Sequence, residues 1–144
     1  MPQATPAQRI RMYIRACNDA DATAIAACFC PDAVHYGPAA PKWSGAATIG
    51  SNFAKRIQEL GHRWTVDQVL VDVDRCAAAL EWTRFDRSDR VVRGVDWFVF
   101  EPETLRIREV RPYFAVAPRP DAARHELQDF DYAGRGYPTN AAIS

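Results

Sequence analysis

Apolar residues in the first sixty positions recur with helical spacing. Ile10, Tyr13, Ile14 and Cys17 fall at i, i+3, i+4 and i+7, which predicts a helix with one buried stripe, ending at the polar run 18–21. Asp21 is placed to cap a second, shorter helix whose apolar face is Ile25, Cys28 and Phe29, stopped by Pro31. Residues 33–36 form a short apolar piece, and 37–45 a turn-rich loop holding Pro38, Pro41 and Trp43. A third helix follows from Ile49, Phe53, Ile57 and Leu60, closed by Gly61.

The period changes from His62 onward. Trp64, Val66, Gln68 and Leu70 alternate with Thr65, Asp67, Val69 and Val71, which predicts a strand. Residues 76–85 are a second strand, with 86–89 as its turn; 91–100 are a third and 105–116 a fourth. Helices followed by an antiparallel meander define an α+β class, with the helices packed on one face of a curved sheet. The stretch 118–144 is richer in Pro, Gly, Asp and Arg, with a short helix expected at 121–127. Its Phe130, Tyr132 and Tyr137 are more aromatic surface than a solvated tail needs.

Composition narrows the function. A chain of 144 residues is expected to form one domain, 1–117, with 118–144 as an extension that serves as a lid or a dimer arm. Its 18 Lys and Arg balance 18 Asp and Glu, so there is no basic field for a nucleic acid partner. No apolar run reaches the roughly 18 residues of a membrane span, and residues 1–5 lack a signal pattern, so a soluble, cytoplasmic protein with no membrane partner is expected. Cys17, Cys28, Cys30 and Cys76 have neither redox nor zinc spacing and read as free thiols, and no metal is expected. Phosphate loops, dinucleotide fingerprints and a GxSxG elbow are absent, which implies no cofactor.

A few side chains stand out against this background. Asp96 sits between Val95 and Trp97 in an apolar strand, and burying an unpaired carboxylate is costly. It is either a functional acid or one half of a structural bridge to Arg93 or Arg111. Alternation puts Phe98 and Phe100 on the Asp96 face and Val95, Trp97 and Val99 on the other, so neither face is expected to see water. Arg111 and Tyr113 share a strand face, and Arg111 is suited to a substrate carboxylate. His35 titrates in the range of a general acid or base, whereas His62 and His125 read as surface residues.

The segments 13–21 (YIRACNDAD), 27–34 (ACFCPDAV), 43–45 (WSG), 93–100 (RGVDWFVF) and 107–114 (IREVRPYF), in this order of elements, resemble the SnoaL-like polyketide cyclase branch of the nuclear transport factor 2 superfamily. The resemblance covers roughly residues 7–116. It implies a cone-shaped, curved antiparallel sheet with three N-terminal helices packed on its concave face, and a homodimer formed through the outer sheet face. The first stretch is also similar to ketosteroid isomerase. On that similarity Tyr13 and Asp96 fall on the oxyanion-hole tyrosine and carboxylic acid, a pair that works because burial keeps the acid protonated. The position of that family's base is Gly37, which cannot take a proton; His35, two residues before it on the same strand face, is the replacement. In the related limonene epoxide hydrolases the matching stretch carries an Asp where Pro112 stands, which argues against epoxide opening by that route.

The resulting expectation is a cofactor-independent lyase or isomerase for a small, partly apolar carbonyl compound, working through an enol or enolate. His35, Asp96 and Tyr13 are its catalytic residues; Arg111, Tyr113, Tyr36, Trp64, Trp82, Phe98 and Phe53 bind the substrate. The competing expectation is a non-catalytic small-molecule-binding or dimerisation module of the same fold. Convergence of the polar groups on one cavity separates the two.

Overall fold

The computed structural model describes residues 2–38 and 40–141; position 1, position 39 of the expected loop and positions 142–144 of the expected extension lie outside the described residues. Helix α1 (Pro6–Asn18) is set by a capping box, in which Thr5 accepts from the Gln8 amide at 3.2 Å and the Gln8 side chain accepts from the Thr5 amide at 2.9 Å. Its buried residues include the predicted Ile10, Tyr13, Ile14 and Cys17. Asp21 caps α2 (Ala22–Ala27) through the Ala24 amide. This helix is shorter than expected. Phe29 already belongs to β1 (Phe29–Gly37), and Pro31 lies in an irregular stretch of that strand, where the register shifts between Phe29 and Val34.

The predicted loop is largely a strand. β2 (Ala40–Ser44) folds back on β1 and pairs His35 with Trp43. Helix α3 (Ala46–Leu60) follows, ending at Gly61 in the left-handed conformation with φ 67°. A Cβ at Gly50 would stand 2.4 Å from the Ala22 carbonyl oxygen, so glycine lets α3 lie directly on α2.

β3 (Arg63–Asp72), β4 (Ala77–Phe85), β5 (Val91–Phe100) and β6 (Ile107–Phe114) form the meander. The sheet order is β2-β1-β6-β5-β4-β3, with β7 (Arg124–His125) beside β5. The sheet is mixed rather than antiparallel throughout, because β1 runs parallel to β6 and β7 parallel to β5. The helices and the curved sheet enclose a core in which the Tyr13 ring meets Phe29 and Phe98 edge-on, at centroid distances of 5.3 and 6.0 Å.

The expectation that neither face of β5 sees water holds for the inner face alone in the single chain. Asp96, Phe98 and Phe100 are buried, whereas Val95 and Trp97 are exposed on the outer face. The expected helix at 121–127 does not form. β6 ends opposite Gly94 and leaves the edge of β5 at Val91 and Val92 free, and the following chain pairs with that edge instead. Beyond it the chain closes over Arg93 on the outer face. Arg93 donates to Thr83 Oγ1 at 2.8 Å, Glu126 at 3.1 Å and the Pro138 carbonyl at 2.7 Å, and lies 4.0 Å from the Tyr132 ring centre. Tyr137 donates to Glu81. Among the described residues no helix is long and apolar enough to cross a membrane.

Gly94 fixes the inner face. A Cβ there would lie 2.4 Å from the Trp82 ring and 2.8 Å from the Tyr113 carbonyl oxygen, so the indole occupies the space that only glycine leaves. Gly94→Ala is expected to lower the unfolding free energy by about 2 kcal/mol in urea titration, the cost of overpacking a filled core. An unchanged midpoint would show that Trp82 moves aside freely.

Candidate functional site

Three separate elements bring the predicted catalytic residues to one cavity. α1 contributes Tyr13, β1 contributes His35 and β5 contributes Asp96, and all three line one open cavity. Of the predicted binding residues, Tyr36, Phe53, Trp64 and Trp82 line it as well. Phe98 shares the Asp96 face but is fully buried and packs on Tyr13 and Phe100 without reaching the cavity.

Arg111 and Tyr113 are not in the cavity. Asp96 pairs across the ladder with Pro112, so Pro112 shares its face and the residues on either side point outward. Tyr113 is 63% exposed, and Arg111 lies on the outer face against the Trp97 ring, donating to Glu109 at 2.7 Å. The structural-bridge reading of Asp96 fails with it, because Arg111 pairs with Glu109 and Arg93 with Glu126.

Asp96 is instead a nearly bare buried acid. The Trp82 indole N–H donates to its Oδ1 at 2.9 Å, and among the described residues it joins no ion pair. Burial pushes the carboxyl up to about 7, against the opposing pulls of the Trp82 N–H and the Arg84 guanidinium. His35 is packed between Phe53 and Trp43, with ring centres 4.8 and 5.8 Å away. Burial holds it down to about 4, so the imidazole is neutral at physiological pH. The Tyr13 hydroxyl is held protonated well above its ordinary range, by burial first and then by the neighbouring Cys17 and Asp96.

The cavity also holds residues that sequence reasoning missed. His62, expected at the surface, is buried, lines the cavity and meets Trp64 at a ring distance of 5.5 Å. Burial and then the Arg84 charge hold it down to about 4. Arg84 lies over the Phe114 ring at 5.4 Å, and Arg56 joins it from α3. Alternation carried the signal, since Arg84 stands two residues after Trp82 and His62 two before Trp64. Among the described residues, no three His, Cys, Asp or Glu side chains gather as metal ligands.

Comparison with known proteins adds the family. Residues 10–110 match the SnoaL-like domain. A protein of unknown function with a cystatin-like fold from Methylobium petroleophilum PM1 is 38% identical over 99% of each chain, with a TM-score of 0.74. An NTF2-like protein of unknown function from Cytophaga hutchinsonii is 16% identical, covering 83% of this chain and 96% of its own, with a TM-score of 0.67. SalBIII, an epoxide hydrolase/cyclase-like enzyme of pyran ring formation in the polyether salinomycin, is 18% identical, covering 77% and 91%, with a TM-score of 0.64. No curated protein matches the chain.

The buried acid and the buried histidines oppose each other in stability. The folded chain keeps the Asp96 proton to about 7 where the unfolded chain releases it near 3.8, so this group makes the protein less stable as pH rises through that window. His35 and His62, near 4 when folded and 6.5 when unfolded, act in the opposite sense and add stability as pH rises. Asp96→Asn removes only the first effect. Its unfolding free energy should therefore climb more steeply than that of the wild type between about pH 4 and about pH 7, ending higher by a few kcal/mol in urea titration. Parallel curves would mean that Asp96 titrates like an exposed carboxyl.

Proposed function

The chain belongs to the SnoaL-like family, and from that premise we propose that it is a cofactor-independent lyase or isomerase acting on a small, partly apolar carbonyl compound. The observation that carries the proposal is Asp96, a carboxyl poised near neutrality in an apolar cavity beside two neutral donors, Tyr13 and His35. A proton carrier works best when its pKa lies near the working pH. Asp96 meets that condition better than His35, whose imidazole near 4 is a weak base.

The roles expected from sequence are therefore exchanged in part. The Asp96 carboxylate takes a proton from the carbon beside the substrate carbonyl, and the released electron pair moves onto the carbonyl oxygen. The Tyr13 hydroxyl donates to that oxyanion in place of Cys17, and the single N–H of neutral His35 does so in place of the backbone carbonyls of His35 and Tyr36. The protonated Asp96 then returns the proton to another carbon, or to a departing hydroxyl, or the enolate attacks a second carbonyl. These are double-bond migration, dehydration and cyclisation, and the cyclase-like activity of SalBIII supports the same general class. Trp64, Trp82 and Phe53 wall the reacting atoms from water.

The Trp82–Asp96 hydrogen bond favours one other reading, a binding pocket in which the pair only holds the wall. Exchange of the hydrogens of benzylacetone in heavy water, followed by NMR, separates the two. The enzyme reading expects catalysed exchange that inflects near neutrality, a loss of about a hundredfold in Asp96→Asn, and a loss of more than about threefold in His35→Ala. Exchange no faster than buffer, or equal in wild type and Asp96→Asn, contradicts it.

The family resemblance also implies a second copy of the chain on the outer face. Val95, Trp97 and Tyr113, at 36%, 42% and 63% exposure, form an apolar group beside the docked C-terminal stretch, which would then act as a dimer arm. Light scattering at micromolar concentration is expected to give twice the chain mass of 16.2 kDa. A monomer would remove the dimer.

A further inference from the structure

Two guanidiniums line the cavity without an ion pair among the described residues. Arg84 lies on the inner face of β4 and Arg56 on α3, and both line the cavity together with His62. Among the described residues neither forms an ion pair or a hydrogen bond to an acid. Burial disfavours the charge on Arg84, and the nearby Arg56 charge repels it as well. Asp86 and, less strongly, Asp96 pull the other way without an ion pair to Arg84, Asp86 accepting at Oδ1 from the amides of Ser88 and Arg90 at 2.8 and 3.0 Å, and Arg90 adds a third cation nearby. A half-buried guanidinium beside a second cation is a costly arrangement unless an anion completes it.

We propose that this end of the cavity is a carboxylate seat, so that the compound taken by this chain carries a carboxylate at one end and, across the aromatic walls, the carbonyl that meets Asp96. The inference rests on the reading of the cavity as a substrate site. Arg84 lies over the Phe114 ring at 5.4 Å and, among the described residues, joins no ion pair, so its fork is open to a bidentate contact. Charge selects the carboxylate. With both histidines neutral, Arg56 and Arg84 leave the lining with one positive charge in excess when Asp96 is ionised and two when it is protonated; a single carboxylate overshoots neither state, whereas a phosphate dianion overshoots the first. Neutralising Arg84 also removes one of the pulls that hold the Asp96 carboxyl ionised, so binding at the seat favours the protonated acid.

Calorimetry with hydrocinnamate and its neutral amide, hydrocinnamamide, tests the seat without requiring turnover. The wild type is expected to bind the carboxylate at least about tenfold more tightly than the amide, with uptake of protons from buffer near neutral pH. Arg84→Met, which keeps an unbranched chain against Phe114, should erase that preference and leave the amide affinity unchanged; Arg84→Lys should keep part of it. Arg56→Gln, at an exposed position that leaves folding intact, should reduce the preference by about threefold. Equal affinity for the two probes, or a preference that survives Arg84→Met, overturns the seat. The enzyme reading fails separately: a carboxylate preference without Asp96-dependent exchange leaves the seat standing, and exchange without the preference removes the seat alone.

Discussion

A carboxyl group buried in an apolar strand is the constraint on which the inner face of this protein depends. Asp96 cannot be ionised there without losing hydration worth several kcal/mol, and a single indole N–H returns only part of it. The surroundings are built to hold that indole. Gly94 leaves the space for the Trp82 ring, Phe114 meets the ring edge-on at 5.3 Å, and the same Phe114 supports Arg84. The outcome is an acid that is neither permanently charged nor permanently neutral at physiological pH, in contact with a cavity.

Two arginines on neighbouring strands show how differently the sheet treats its two faces. Arg93, facing outward, is enclosed by Glu126, Thr83, the Pro138 carbonyl and the Tyr132 ring, so its charge is matched by the chain itself. Arg84, facing inward, has an aromatic ring beneath it and no acid paired to it among the described residues. A fold that closes its C-terminal stretch around one cation and leaves another open to a cavity distinguishes a structural charge from one available to a ligand. Local context decides each case, since the two residues are chemically identical.

The meander and two of the helices were legible because each buries one face. Val91–Phe100 emerges over the whole predicted span, and the stripe of α1 is the predicted one. The junction after Asp21 was not legible, because Cys28 and Phe29 satisfy a helix stripe as well as a buried strand, and Pro31 signals a stop to either. The parallel pairing of β1 with β6 joins residues at least 75 positions apart, such as Val34 and Glu109, and no local pattern encodes it. Within the site, Asp96 was visible as a charge in an apolar run, whereas Arg111 was misplaced because its face depends on the register between β5 and β6. His62 and Arg84 were missed for want of extending the alternation by one step beyond Trp64 and Trp82.

The titration of Asp96 itself is the most direct measure of this account. Carboxyl carbon NMR of the folded protein, assigned by the loss of one resonance in Asp96→Asn, reports the protonation of that side chain across the pH range. The structure predicts a midpoint near 7, set by burial against one indole donor. A midpoint near the ordinary 3.8 would mean that Asp96 is hydrated as a free carboxylate, and neither the proton transfer nor its coupling to Arg84 would follow.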